Sequence, residues 1–140
     1  MNGTQENAIS AELQDIAKDW WRRLQVARAN DKVTADAPVS ADRVREQYKG
    51  ERRVNLSRWD VWNMANWLRD HHHAMLCSNG SGYWAAKDVA EWDQWVADMV
   101  ANIKARMQTV KQARVVSRYH RDMRDGLFGR NLPPPAPAAQ

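Results

Sequence analysis

Ile9, Leu13, Ile16, Trp20, Leu24 and Ala27 follow one another at steps of three and four. That rhythm puts a single apolar stripe on a helix and predicts one from about Asn7 to Asn30. Ser10 and Thr4 are both candidate N-caps, and "ANDKVTADAP" breaks the pattern as a loop. A second helix is predicted from Ser40 in "PVSADRVREQY", with Ser40 as N-cap and Asp42 in the first turn. Val44 and Tyr48 then face inward, and Gly50 ends the helix.

A third helix is predicted in "LSRWDVWNMANWLRDHH", where Ser57 is followed three residues on by Asp60, close to a capping box. At about 100° per residue, Val61, Met64 and Leu68 fall within about 40° of Ser57, with Ala65 at the margin. The opposite face carries Trp59, Asn63, Asn66 and Asp70, flanked by Trp62, Arg58 and Arg69. The stretch "CSNGSGYWAA" then supplies Asn79-Gly80 and Gly82, residues that tolerate positive φ, between Met75-Leu76 and Tyr83-Trp84. It reads as a small β-hairpin.

The last helix is predicted to start at Asp88, with Glu91 completing a capping box. Trp92, Trp95 or Val96, Met99, Ile103, Met107 and Val110 keep a three-four step that fades near Ala113. Two arrangements fit this stripe: antiparallel packing on the N-terminal helix, or pairing with a second copy as a homodimer contact. A mixture is expected, with intramolecular packing near Trp92 to Met99 and a dimer contact further on. "LPPPAPAAQ" cannot be helical and reads as a disordered or polyproline tail.

Charge changes this picture. Residues 1–99 carry 13 Lys and Arg against 15 Asp and Glu, whereas residues 100–140 carry 8 against 2. A basic segment of that kind attracts phosphate, or is simply a solvated helix face plus a tail. Eight Trp against one Phe, in a chain of 140 residues, point to some indoles at a contact surface, although core filling is the commoner role of any single one. Cys77 is the one cysteine, so no intramolecular disulfide forms. "MNGTQENAIS" lacks a signal pattern, and no apolar run reaches about eighteen residues. The expectation is a soluble cytoplasmic protein with no membrane association.

Catalytic and metal chemistry find little support. His71, His72 and His73 are consecutive and point about 100° apart on a helix, so they cannot share one ion. One Cys with scattered His lacks a zinc spacing. Asp60, Asp70, Asp88, Glu91 and Asp93 read as caps and surface charge, with no paired nucleophile and base. No catalytic residue, metal or cofactor is expected, and the chain does not read as an enzyme.

"PVSADRVREQY", "NLSRWDVWNMANWLRDHH" and "AMLCSNGSGYWAA" together give two short helices, a turn between them and a hairpin after the second. This order resembles the winged helix-turn-helix family. The short wing, Ser-Asn-Gly-x-Gly-Tyr-Trp, followed by a long helix is similar to small DNA-binding proteins of bacteriophages and prophages. The resemblance implies a mostly α fold: a winged helix-turn-helix with one short β-hairpin, plus a long C-terminal helix. Its parts are an N-terminal supporting helix and loop (1–38), the winged core (39–86), the long helix (87–120), and a basic then Pro-rich tail (121–140).

It further implies that the helix at 57–69 enters the major groove of duplex DNA, with the wing at 77–84 beside it. The base-facing candidates are Arg58, Trp59, Trp62, Asn63 and Asn66, since Asn can pair with adenine and Arg with guanine. Lys49, Arg52 and Arg53 are candidate phosphate contacts, joined by Asn79, Gly80 and Ser81 at the wing tip and by the basic C-terminal helix. The expected role is regulation, replication or packaging inside a bacterial host cell. The competing expectation is binding of a host protein through the Trp-rich faces, because a fold does not settle function.

Overall fold

The computed structural model describes residues 8–125. Thr4 and the Pro-rich end of the chain lie outside them. The chain divides into two compact units, Met1–Val96 and Ala97–Gln140. Among the described residues there are four helices and one two-stranded antiparallel hairpin.

The first unit begins with helix α1, Ala11–Ala29. Ser10 is its cap, accepting the Leu13 N–H at 3.2 Å. The apolar stripe turns inward as its spacing predicts, burying Ile16, Ala17, Trp20 and Leu24. Helix α2, Ala41–Arg52, starts on Ser40, whose hydroxyl accepts the Arg43 N–H at 3.1 Å. Val44 and Tyr48 are buried. Gly50 does not end this helix. It sits inside the last turn with open space around it, and the stop falls at Arg53, left-handed at φ 55°. Glycine only weakens a helix. Here the chain leaves the helical path where Val54 and Leu56 turn toward the core.

Helix α3, Arg58–His72, opens on a complete capping box. The Asp60 N–H donates to the Ser57 hydroxyl at 3.0 Å, and the Ser57 N–H donates to the Asp60 carboxylate at 2.8 Å. Its inward face is Val61, Met64, Ala65 and Leu68, joined by Trp67, which periodicity alone left outside the core. Trp67 lies against His71 and His72, at 5.4 and 4.8 Å between ring centroids. Burying a side chain such as Leu68 is worth roughly 1.5–3 kcal/mol, so this face holds α3 in place.

Strands β1, Leu76–Asn79, and β2, Gly82–Ala85, pair antiparallel in the register Leu76 with Ala85 and Asn79 with Gly82. Met75 stands just before the strand, its carbonyl accepting the Ala86 N–H at 2.9 Å. The Asn79 side-chain oxygen accepts from the N–H groups of Ser81 and Gly82, at 2.8 and 3.1 Å, and so closes the two-residue turn. Val39, just ahead of α2, bridges to Tyr83 through reciprocal backbone hydrogen bonds of 2.9 and 2.8 Å. Gly82 has φ +156°, and a Cβ there would collide with the Val39 carbonyl. Glycine is required at this close approach. Tyr83 also meets Trp20 of α1 edge to face at 5.2 Å.

Helix α4, Val89–Asp125, begins in the first unit and continues into the second. The Asp88 carboxylate accepts the Glu91 N–H at 2.8 Å, and Glu91 in turn accepts the Lys87 N–H, one residue earlier than a standard capping box. The Trp95 indole donates to the Ser78 carbonyl at 2.7 Å. Trp92, Trp95 and Val96 are half-buried, but Met99, expected to pack with them, is exposed.

The described part of the second unit is helical throughout and exposed throughout. The helix continues where the apolar step fades, near Ala113, and runs past the expected boundary at 120 to Asp125. Met99, Ile103, Met107 and Val110 keep their shared face and are 39–57% exposed. Periodicity states which residues share a face, not what covers it. No helix among the described residues is long and apolar enough to cross a membrane.

Candidate nucleic-acid interface

The outward face of α3 is organised around two indoles and one ion pair. Trp59 and Trp62 lie one turn apart and stack at 4.5 Å with a 19° interplanar angle. They are 65% and 46% exposed, so the stack faces solvent. Arg58, at the start of the helix, grips the Asp42 carboxylate of α2 with two hydrogen bonds, of 3.0 and 2.6 Å. Arg45 donates to the same carboxylate at 3.0 Å and to the Leu56 carbonyl at 2.6 Å. The hydrogen bonds from Arg58 and Arg45 hold the Asp42 carboxyl below its ordinary pKa, and Asp42 raises that of Arg58.

Asn63 is half-buried on this face. The Asn66 amide oxygen accepts from Arg69 at 3.1 Å. Arg69 also donates to the Leu76 carbonyl at 2.8 Å and to the Ser78 hydroxyl at 3.2 Å, and its guanidinium lies 5.2 Å from the Trp95 ring. It is the residue that fastens α3 to β1. Burial lowers its pKa. Sequence reasoning placed Arg69 only at the flank of the outward face, because none of its partners in the hairpin is legible from helical spacing.

The three expected phosphate contacts separate. Lys49 and Arg53 are exposed and make no ion pair among the described residues. Arg52 instead bridges to α1, at 2.8 Å from Asp15 and 3.8 Å from Asp19, with its guanidinium 5.8 Å from the Tyr48 ring. There it joins Arg23 around Tyr48, whose hydroxyl donates to Asp19 at 2.7 Å. Burial alone would raise the Asp19 pKa, but hydrogen bonds from Tyr48 and Arg22 and the charges of Arg23 and Arg52 hold it lower.

Two grooves meet at the Arg58–Asp42 pair. One, of about 570 Å³, runs between α2 and the start of α3 and has Lys49 and Asn55 on its wall. The other, of about 300 Å³, lies between the start of α2 and the hairpin tip and is lined by Ser40, Asn79 and Ser81. The structure thus places Lys49 and the pair Asn79 and Ser81 in two grooves that share Arg58 and Asp42. Arg52, Trp59, Trp62 and Asn63 line neither groove.

Residues 8–96 carry thirteen Lys and Arg and thirteen Asp and Glu, so the first unit has no net attraction for polyanions. Cys77 is buried in β1, and burial pushes its thiol up to about 12, which keeps it an unreactive thiol at neutral pH. Among the described residues no group of three or more His, Cys, Asp or Glu is placed to hold a metal ion. Comparison of the chain with protein-family models, with curated proteins and with solved structures gives no match.

Proposed function

We propose that this chain is a DNA-binding protein of the winged helix-turn-helix type, acting as a bacteriophage regulator or as a replication or packaging accessory. One observation carries the reading. The Val39–Tyr83 bridge ties the segment ahead of α2 to β2, the second strand of the hairpin. As a result the hairpin tip and the starts of α2 and α3 border one groove. That is the arrangement a wing and a recognition helix need in order to engage adjacent parts of a duplex.

In this reading α3 enters the major groove. Asn63 offers a donor and an acceptor to a base edge, and the Trp59–Trp62 stack supplies apolar contact. Lys49, Arg53 and the N–H groups of the hairpin tip contact phosphate. Arg58 reaches the DNA only by exchanging Asp42 for a phosphate or a guanine.

A second reading is favoured by the indole stack itself. Two adjacent Trp exposed at 65% and 46% are the kind of anchor that dominates protein interfaces. The partner would be a host protein, with the winged core as scaffold. A homodimer through the exposed Met99–Val110 face is compatible with either reading.

Fluorescence anisotropy with short mixed-sequence duplexes, at low and at moderate salt, separates the two. Under the DNA reading wild type binds and weakens steeply with salt, and Lys49→Ala/Arg53→Ala weakens binding on every sequence. Asn63→Ala would flatten the preference among sequences. An absence of duplex binding at low salt would sink the reading and leave the protein partner.

A further inference from the structure

Between Met99 and Arg121 the chain has six Lys and Arg and no Asp or Glu. Within this stretch Lys111, Arg114, Arg118 and Arg121 lie on α4 at steps of three, four and three. At about 100° per residue they occupy a strip about 80° wide, and at about 1.5 Å per residue the strip is about 15 Å long. All four are exposed, and none makes a hydrogen bond or an ion pair among the described residues. An ordinary solvent-facing helix sets carboxylates three or four residues from its cations. Here only Arg118 and Arg121 have one, Asp122 and Asp125, and the charge of Arg121 helps to hold the Asp125 pKa low. Each cation also has another cation at that distance, an arrangement that destabilises an isolated helix.

We propose that this ladder is a phosphate-binding site that runs along one strand of a nucleic-acid duplex and supplies most of the chain's affinity for it. A duplex strand presents a phosphate about every 3.4 Å of axis, so about 15 Å spans roughly four phosphates, one for each cation. Contact with those phosphates turns the repulsion along the ladder into attraction. The thirteen cations of residues 8–96, matched by thirteen carboxylates, offer no such net charge. The ladder therefore deepens the DNA reading and rests on it: α3 and the hairpin tip choose the site, and α4 holds the backbone. Val116, Tyr119 and Met123 lie on the other side of the same turns, with Val115 at the edge of the strip beside Lys111, and the ladder needs none of them.

The test is the salt dependence of full-length protein on a fluorescein-labelled mixed-sequence duplex, from about 50 to about 200 mM salt. Wild type is compared with Lys111→Gln/Arg114→Gln/Arg118→Gln/Arg121→Gln and with a control, Lys18→Gln/Arg22→Gln/Lys32→Gln/Lys87→Gln, that removes equal charge elsewhere. Circular dichroism checks that both remain helical. The ladder variant is expected to lose at least about 100-fold in affinity at low salt, and about 3 to 4 units of the slope of log K against log salt. The control should shift less than about threefold. An unchanged slope in the ladder variant overturns the ladder while leaving the DNA reading in place. Equal losses in both variants overturn it as well, because only net charge then matters. If wild type binds no duplex but binds phosphatidylserine vesicles, both the ladder and the DNA reading fail.

Discussion

Five arginines of the first unit and the six cations of α4 between Met99 and Arg121 have opposite occupations, although Lys49 and Arg53 of the first unit are also unpaired among the described residues and Arg124, further along α4, holds Asp125 at 2.9 Å. Arg23, Arg28, Arg45, Arg52 and Arg58 each hold a carboxylate within 3.4 Å, and four of these five pairs join different elements or loops. Lys104, Arg106, Lys111, Arg114, Arg118 and Arg121 hold none among the described residues. The apolar residues divide in the same way: Ile16, Val61, Met64 and Leu68 are fully buried, whereas Ile103, Met107 and Val110 are about half exposed. One set of arginines and aliphatics builds a fold. The other is left available to whatever binds the helix.

Core truncation should break this contrast most visibly. Leu68→Ala is expected to lower stability by roughly 2–5 kcal/mol, the range for removing a buried aliphatic side chain. Ile103→Ala should stay within about 0.5 kcal/mol, as for a surface position. Urea unfolding followed by circular dichroism compares the two directly, and similar losses would mean that the Ile103 face is covered in the protein as it exists in solution.

Gly82→Ala tests how firmly the hairpin is tied to the segment before α2. The added Cβ meets the Val39 carbonyl and the backbone has φ +156°, so the bridge must open or the strand must shift. A loss of about 1–3 kcal/mol is expected, together with weaker duplex binding, because the groove at the hairpin tip loses its wall. Ser81→Ala, in the same turn but facing solvent, should leave stability unchanged.

The smallest effect is a pH dependence confined to the first unit. The Asp19 carboxyl has a native pKa below its ordinary value of 3.8. The unfolded chain therefore takes up the proton first as pH falls. The contribution of Asp19 to stability is full above about pH 4 and is lost as pH drops through the lowered native value. Acid titration of wild type against Asp19→Asn should give the variant the shallower loss below about pH 4. Parallel curves would show that Asp42 and Glu51, also held low by arginines, carry the acid sensitivity instead.

Much of the local structure was legible residue by residue. Ser40 and Ser57 announce two helix starts, the structure chose Ser10 over Thr4 for the first, and Val44, Tyr48, Val61, Met64 and Leu68 announce the faces that are buried. Gly50 is a poor guide to the end of α2, because glycine weakens a helix without stopping it and the stop falls at Arg53. The candidate site was less legible. Its residue types were readable on α3 and in the hairpin, but not that Arg52 turns away to Asp15 or that Asn66 serves Arg69.

Caps, turns and inward faces depend on neighbours within about four residues, and the amino-acid order alone determines them. The charge division at Met99 is likewise written in the chain. Only the tertiary structure decided which cations are occupied, since Asp42 lies sixteen positions from Arg58 and Glu51 twenty-eight from Arg23. Only folding brought Val39 against Gly82 and Tyr83 and so placed the hairpin tip beside α2. Long-range partners come together through the packing of whole elements, and no local spacing carries that information.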